Sequence, residues 1–253
     1  MENSYSFNTL TNNIEQLTHL TSLELADLDC TCIPIEIGQL VNLTTLRLGG
    51  SFTHLPAEIG QLVNLTRLDF LCCRNLVSLP PEIGKLVNLT TLCFRFCDSL
   101  SHLPKELCQL TNLNTLDIRE CNISTLPAEI GQLKNLTELY WIECENLTIL
   151  QPEIGKLSGL TLLNLTGCTN LISLPHEIGQ LVNLTTLDLS ACLRLNYLPE
   201  ELGQLTNLIT IDLSGFQEFT NLSEKVAERM YIRTWQFPHG DIVIPWLAAK
   251  NQE

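Results

Sequence analysis

Eleven cysteines and five histidines among 253 residues are the side chains from which nucleophilic, redox or metal chemistry would have to be built. Six of the cysteines, Cys73, Cys97, Cys121, Cys144, Cys168 and Cys192, recur every 23 or 24 residues. That is the behaviour of one position in a repeat, not of paired half-cystines. A thiol recurring this way is a small, weakly polar filler pointing inward, and free thiols fit a reducing compartment. Cys30 and Cys32 stand too close together for the C-x-x-C of a redox or metal site. His19, His54, His102, His176 and His239 are scattered, and none lies beside a cysteine at metal-ligand spacing. His54 and His102 each precede Leu-Pro, where a solvated side chain is expected. There is no G-x-S-x-G, no phosphate-cradling glycine loop and no H-E-x-x-H. Glu36, Glu58, Glu82, Glu106, Glu129, Glu153, Glu177 and Glu201 recur with the same period and read as helix-start charges, not as a catalytic carboxylate pair. No catalytic, cofactor-binding or metal-binding residue is nominated, and no enzymatic activity is expected.

What positions these residues is a repeat organised around Leu79 to Phe94, L-P-P-E-I-G-K-L-V-N-L-T-T-L-C-F, with near-copies at Leu55 to Phe70, Leu103 to Ile118, Leu126 to Trp141, Leu174 to Leu189 and Leu198 to Leu213. The first leucine of an L-x-x-L-x-L core falls at Leu20, Leu43, Leu65, Leu89, Leu113, Leu136, Leu160, Leu184 and Leu208, at spacings of 23, 22, 24, 24, 23, 24, 24 and 24. A period in that range, with Cys or Asn after the core, is the signature of a leucine-rich repeat solenoid. The chain resembles that family over about residues 14 to 216. The L-P-x-E-I-G-x-L spacer resembles that of plant intracellular Ras-group-related leucine-rich-repeat proteins. The C-x-N-L of Cys144 to Leu147 and Cys168 to Leu171 is similar to plant disease-resistance receptors and to repeat effectors of intracellular bacteria. The resemblance implies protein binding; the periodicity implies only the coil.

One repeat gives the physics. Leu89, Leu92 and Phe94 alternate with polar or small residues, so Thr91, Cys93 and Arg95 face the other way along a short strand. Leu76, Leu79, Ile83 and Leu86 supply the rest of the apolar filling on the return. Proline at the start of P-P-E-I-G-K-L suits the first turn of a short helix, Glu82 its N-terminus, and Gly84 a tight exit. The expected fold class is α/β: a leucine-rich repeat solenoid with a curved parallel sheet on the concave face and short helices or 3-10 turns on the convex face. No coil buries its leucines alone, so stability comes from stacked neighbours. The sequons at Asn42, Asn64, Asn88, Asn135 and Asn183 each lie just before a strand leucine and read as turn asparagines bonded to backbone, not as glycan acceptors.

Fourteen basic residues against 28 acidic ones give a net charge of -14, which argues against a nucleic-acid partner because phosphate binding needs a cationic face. Met1 to Leu10 has neither a basic n-region nor an apolar h-region. No run reaches the roughly 18 apolar residues that span a bilayer, so no membrane insertion is expected. The expected location is cytoplasmic, or a host cell reached without a conventional signal peptide, and the expected state is a monomer.

In chain order, residues 1–19 form an N-terminal cap in which Ile14 and Leu17 match the spacer and Tyr5, Phe7 and Leu10 cover the open end. Residues 20–216 hold about nine repeats. Gln151 replaces a proline, and Gly159 replaces the asparagine before Leu160, each altering a turn slightly. Residues 217–253 form a C-terminal cap, with an amphipathic helix from Leu222 to Trp235 and an apolar run from Ile242 to Leu247.

The repeats differ in the outward-facing strand columns. The central column runs Glu24, Arg47, Asp69, Cys93, Asp117, Tyr140, Asn164, Asp188, Asp212, and further outward columns carry Leu71, Arg95, Arg119 and Ile142, then Cys72, Phe96, Glu120 and Glu143. The last three turns offer only small residues and aspartates, whereas turns three to six present Arg67, Leu71, Arg95, Phe96, Arg119, Tyr140 and Ile142. Arginine beside large apolar and aromatic side chains is the composition of an interface hot spot. These seven residues are the candidate partner-binding site on the concave face. The bland alternative pairs the arginines with Asp117, Glu120 and Glu138 on a solvated sheet. The function expected is a non-enzymatic protein-interaction module, as signalling scaffold or host-directed effector. The rival readings are a purely structural repeat protein without a specific partner and, remotely, an uncharacterised enzyme.

Overall fold

The computed structural model describes residues 14–28 and 31–215. Within them, the leucine alternation produces nine parallel strands: β1 (Ser22–Leu28), β2 (Thr45–Gly50), β3 (Arg67–Leu71), β4 (Thr91–Arg95), β5 (Thr115–Arg119), β6 (Glu138–Ile142), β7 (Leu162–Asn164), β8 (Thr186–Asp188) and β9 (Thr210–Asp212). They form one sheet in chain order, so each coil contributes one strand and lies against the coils before and after it. From β2 onward the register never slips: Leu46 pairs with Leu68, Leu68 with Leu92, Leu92 with Leu116, and the column continues through Leu139, Leu163 and Leu187 to Ile211. The alternation is the reason, because a one-residue slip would turn every leucine of a strand out to water. Leu92 and Phe94 are wholly buried, while Thr91 and Arg95 lie half-buried on the opposite face. Phe70 and Phe94 stack inside the coil with centroids 5.0 Å apart.

The return path is tighter than a helical turn or two. Eight 3-10 turns of five residues each, from Ile35–Gln39 to Glu200–Gln204, lie opposite the sheet. Seven of the eight follow a proline whose fixed φ sets the approach; at Pro80 the angles are φ -70° and ψ 149°. Before the Pro152–Lys156 turn Gln151 adopts nearly the same backbone, φ -73° and ψ 150°, so the turn is unaltered. The glutamine adds a bond that proline lacks, its Oε1 accepting from the Leu126 N–H of the preceding coil at 3.0 Å. Gly84 does not serve as a tight exit: the turn ends at Leu86 with φ -78°. Its role is close approach, since a Cβ there would lie 2.6 Å from the Glu106 carbonyl oxygen of the next coil.

Side-chain ladders along the solenoid tie the coils together. The asparagines before the strands do bond backbone, but in the preceding coil and not in their own turn: Asn42 Nδ2 donates to Thr18 O, Asn64 to Val41 O, Asn88 to Val63 O, Asn135 to Thr111 O and Asn183 to Ser158 O, at 2.8 to 2.9 Å. Where Gly159 interrupts the column, a Cβ would lie 2.4 Å from the Lys134 carbonyl oxygen, so this crossing is too close for any side chain. Thr44, Thr66, Thr90, Thr137, Thr161 and Thr185 form a second ladder, each hydroxyl donating to a carbonyl one coil earlier. The cysteine column forms a third, with Sγ of Cys73, Cys168 and Cys192 donating to Leu48 O, Trp141 O and Leu165 O at 3.3, 2.9 and 3.1 Å. All ten described cysteines are free; Cys32 and Cys72 are exposed and the others buried.

At the start of the described chain Ile14 and Leu17 are buried. Tyr5, Phe7, Leu10, Cys30, Phe216 and residues 217–253, with the helix and apolar run expected there, lie outside the described residues.

Candidate functional site

The strand register places the outward residues side by side. Glu24, Arg47, Asp69, Cys93, Asp117, Tyr140, Asn164, Asp188 and Asp212 form one continuous row across the sheet. A neighbouring row brings Leu71, Arg95, Arg119 and Ile142 together, four of the seven nominated residues.

The centre of this face is not open to water. Asp69, Cys93 and Asp117 retain only 6%, 4% and 3% of their surface, because arginine side chains lie over them. Arg67 Nε reaches Asp69 Oδ2 at 2.9 Å and Arg47 Nε the same oxygen at 3.6 Å. Asp117 is held from both sides, with Arg95 Nη2 at 2.8 Å from Oδ2 and Arg119 Nε at 2.6 Å from Oδ1. A carboxylate can be buried only when its charge is matched nearby, and the arginines supply that match. The hydrogen bond to Asp69 raises the Arg67 pKa, and the bond to Asp117 raises that of Arg95, each against the opposing effect of burial. Between the two aspartates, burial and then the Asp69 charge push the Cys93 thiol up to about 12, so it stays protonated; Arg67 Nη2 lies 3.7 Å from its sulfur.

Of the arginine partners expected from the sequence, Asp117 is one. Glu138 instead accepts from the hydroxyls of Thr115 and Tyr140, at 3.3 and 3.4 Å. Glu120 stands exposed at the turn after β5. Tyr140 lies beneath the Arg119 guanidinium, 5.3 Å from carbon to ring centroid, close enough for a cation–π contact. Leu71 is 39% exposed, and Ile142 and Tyr140 are half-buried.

Phe96 is the nominated residue placed differently. It does not continue the strand face but follows β4 in the left-handed region, φ +57°, with its N–H donating to Arg119 O of the next coil at 3.1 Å. The whole column shares this backbone: Gly50, Cys72, Phe96, Glu120, Glu143, Gly167, Ala191 and Gly215 all have positive φ. Glycine at three of these positions was the sequence signal for the conformation. The five side-chain-bearing residues hold it at a cost of order 1 kcal/mol each.

Coils seven to nine use the same outward position for another purpose. Asn164, Asp188 and Asp212 each accept the N–H two residues on, from Thr166, Ser190 and Ser214, at 2.9, 2.9 and 2.8 Å. These local bonds compete with sheet pairing, and β7, β8 and β9 shorten to three residues where β3 to β6 have five.

Among the described residues, grooves flank the sheet at both ends of its strands, and sequence reasoning nominated neither of the following. One, of about 710 Å³, runs along the asparagine and threonine ladders from Asn42 to Asn135. The other, of about 460 Å³, is lined by Glu120, Cys121, Asn122, Glu143, Glu145, Gly167 and Thr169 at the C-terminal ends of β5 to β7. Among the described residues no group of three or more His, Cys, Asp or Glu could hold a metal ion, and no helix is long and apolar enough to cross a membrane.

A family model described as a leucine-rich repeat region matches residues 2–101, and a second leucine-rich-repeat model matches residues 112–133. No curated protein matches the chain. Among solved structures, it is similar to the leucine-rich repeat domain of the type III effector XCV3220 (XopL), at 27% identity and a TM-score of 0.66 over 81% of this chain and 86% of that one. It is also similar to a leucine-rich repeat protein from Bacteroides eggerthii, at 14% identity and a TM-score of 0.57 over 77% of this chain and 48% of that one. A chain of the Drosophila Toll–Spatzle complex matches at 20% identity and a TM-score of 0.52, over 86% of this chain and 36% of that one. Likeness at these last two identities concerns the fold alone.

Proposed function

The chain is a leucine-rich repeat protein, and we propose that it is a non-enzymatic module that grips a protein partner on the sheet face of coils three to six. Leucine-rich repeat folds commonly serve as protein-interaction modules, so the residues that differ from coil to coil carry the specificity. The observation that supports the placement is the contrast along the sheet. Coils three to six expose guanidinium, phenol and aliphatic groups in two adjoining rows, held by the Asp69 and Asp117 ion pairs. Coils seven to nine commit the same column to local turns. Side chains fixed before binding lose less conformational freedom when the partner arrives. The proposed contact residues are Arg67, Leu71, Arg95, Phe96, Arg119, Tyr140 and Ile142.

Likeness to the repeat domain of a type III effector supports the host-directed effector over the signalling scaffold; we further propose that the chain is a monomer in the cytoplasm or is delivered into a host cell. The test is affinity capture from a eukaryotic lysate by three proteins of verified fold. Wild type should retain a specific partner at moderate salt. Phe96→Ala with Tyr140→Ala should weaken retention by well over tenfold, since buried aromatic anchors typically lose about 2 kcal/mol or more each. Ser190→Ala with Ser214→Ala should leave it intact. Loss through the serine pair alone would move the site to the C-terminal coils, and no specific retention by wild type would favour the purely structural reading.

A further inference from the structure

On the chain's -14 net charge, the arginine patch is a local inversion with a definite layering. In coils three to five the face carries three guanidiniums, of Arg67, Arg95 and Arg119, over two carboxylates, of Asp69 and Asp117. The carboxylates lie underneath: their side chains are 8% and 5% exposed, against 42%, 42% and 37% for the three arginines. Over these two aspartates a partner therefore meets cations, with Glu120 exposed at the end of β5 and Glu138 half-buried against Tyr140 as the acids at the rim. The aspartates also fix how the guanidiniums are presented. Arg67 and Arg119 turn Nε to their aspartate and Arg95 turns Nη2. Nη1 of Arg67, Nη1 of Arg95 and both Nη nitrogens of Arg119 have no hydrogen-bond acceptor within the described residues. Guanidinium N–H groups arranged in a planar fork match the two oxygens of a carboxylate. Leu71 and Ile142 end the arginine row on either side, and Tyr140 lies beside it.

We propose that the partner segment seated here is an acidic peptide stretch, with aspartate or glutamate carboxylates received by Arg67, Arg95 and Arg119 and an aliphatic or aromatic side chain against Leu71, Tyr140 and Ile142. The assignment rests on the protein-binding reading above and adds the chemistry of what is bound. Long-range repulsion from the acidic remainder of the molecule makes a short local acidic segment, and not a uniformly polyanionic surface, the better match.

The probes are a fluorescent synthetic peptide, Gly-Asp-Leu-Glu-Phe-Asp-Leu-Gly, its counterpart with every acid replaced by lysine, and an oligothymidylate of similar length, followed by anisotropy. At about 0.15 M salt, where the Debye length is about 8 Å, the acidic peptide should bind at least ~10-fold tighter than either comparator. Arg95→Gln with Arg119→Gln should abolish that binding. Arg119→Lys, which keeps the charge and removes the fork, should weaken it about five-fold, and Ser190→Ala with Ser214→Ala should not change it. Circular dichroism of each variant separates loss of the site from loss of the fold. Binding of the lysine peptide in place of the acidic one overturns the charge assignment and leaves the protein-binding reading standing, as does failure of the acidic peptide while lysate capture still depends on Phe96 and Tyr140. Equal binding of oligothymidylate overturns it as well, since the patch would then be a plain polyanion surface.

Discussion

Raising the pH should unfold this solenoid from within. Burial pushes the thiols of Cys93, Cys108, Cys168 and Cys192 up to about 12, from an ordinary value of 9.0. The folded protein thus holds these protons while the unfolded chain releases them. Each group contributes stability that is complete below pH 9 and is lost as pH climbs from 9 towards 12. One unit of difference is worth about 1.4 kcal/mol, so at pH 10 each of the four removes on the order of 1 kcal/mol and together they remove roughly 5. Cys144 shifts the same way through burial, and Cys121 through its hydrogen bond with Cys97 and then burial, adding to the loss. A domain at the low end of ordinary stability, about 5 kcal/mol, has nothing left after such a loss, and one at the high end, about 15, is clearly weakened. The assay is the guanidinium midpoint by circular dichroism at half-unit steps from pH 7.5 to 10.5, on wild type and on Cys168→Ala with Cys192→Ala. The double variant should start less stable, because two buried groups are gone, but fall about 3 kcal/mol less by pH 10. Parallel pH profiles for the two proteins would refute the claim that buried thiols carry the dependence.

Other outcomes follow from the packing. Native protein at pH 8 should react quickly with a thiol reagent at Cys32 and Cys72 and slowly at the eight buried described cysteines, and full denaturation should release the rest; rapid labelling of the ladder cysteines would place them at the surface. Leu139→Ala should cost about 2 to 5 kcal/mol through lost burial and a cavity between Leu116 and Leu163, and a shift below about 0.5 kcal/mol would contradict the register. Gly84→Ala should cost about 1 to 3 kcal/mol by pressing a methyl group onto the Glu106 carbonyl.

The coil was legible because a solenoid writes every packing decision many times. Eight strand leucines and Ile211 in one register, the inward cysteines and the buried Ile14 and Leu17 follow from period and alternation alone. What escaped were interactions between coils, which no single repeat encodes. Gly84 looks like a turn residue until the neighbouring turn is laid beside it, and Asn88 like a local cap until its acceptor proves to be Val63 one coil back. The same limit applied to the candidate site. Strand alternation assigned Asp69, Cys93 and Asp117 to the outward face, which is where they are, but an outward direction does not mean exposure when Arg67 and Arg95 lie across them. Phe96 was assigned to a strand although Gly50, Gly167 and Gly215 at its equivalent positions marked the column as left-handed.

The asparagine ladder has a direction, and that direction bears on how the molecule comes into being. Its donors sit in the later coil and its acceptors in the earlier one, from Asn42 on Thr18 through to Asn207 on Val182. The threonine ladder runs the same way. The asparagine and threonine side chains of a coil leaving the ribosome therefore meet carbonyl groups already in place on its predecessor, and these two ladders need nothing yet to be synthesised. Translation, at about 5 to 20 residues per second, adds one coil every few seconds at most, while closing a short loop takes well under a millisecond. Each coil thus has time to settle on the one before it, and the growing chain exposes a single unfinished edge instead of a whole unpacked core.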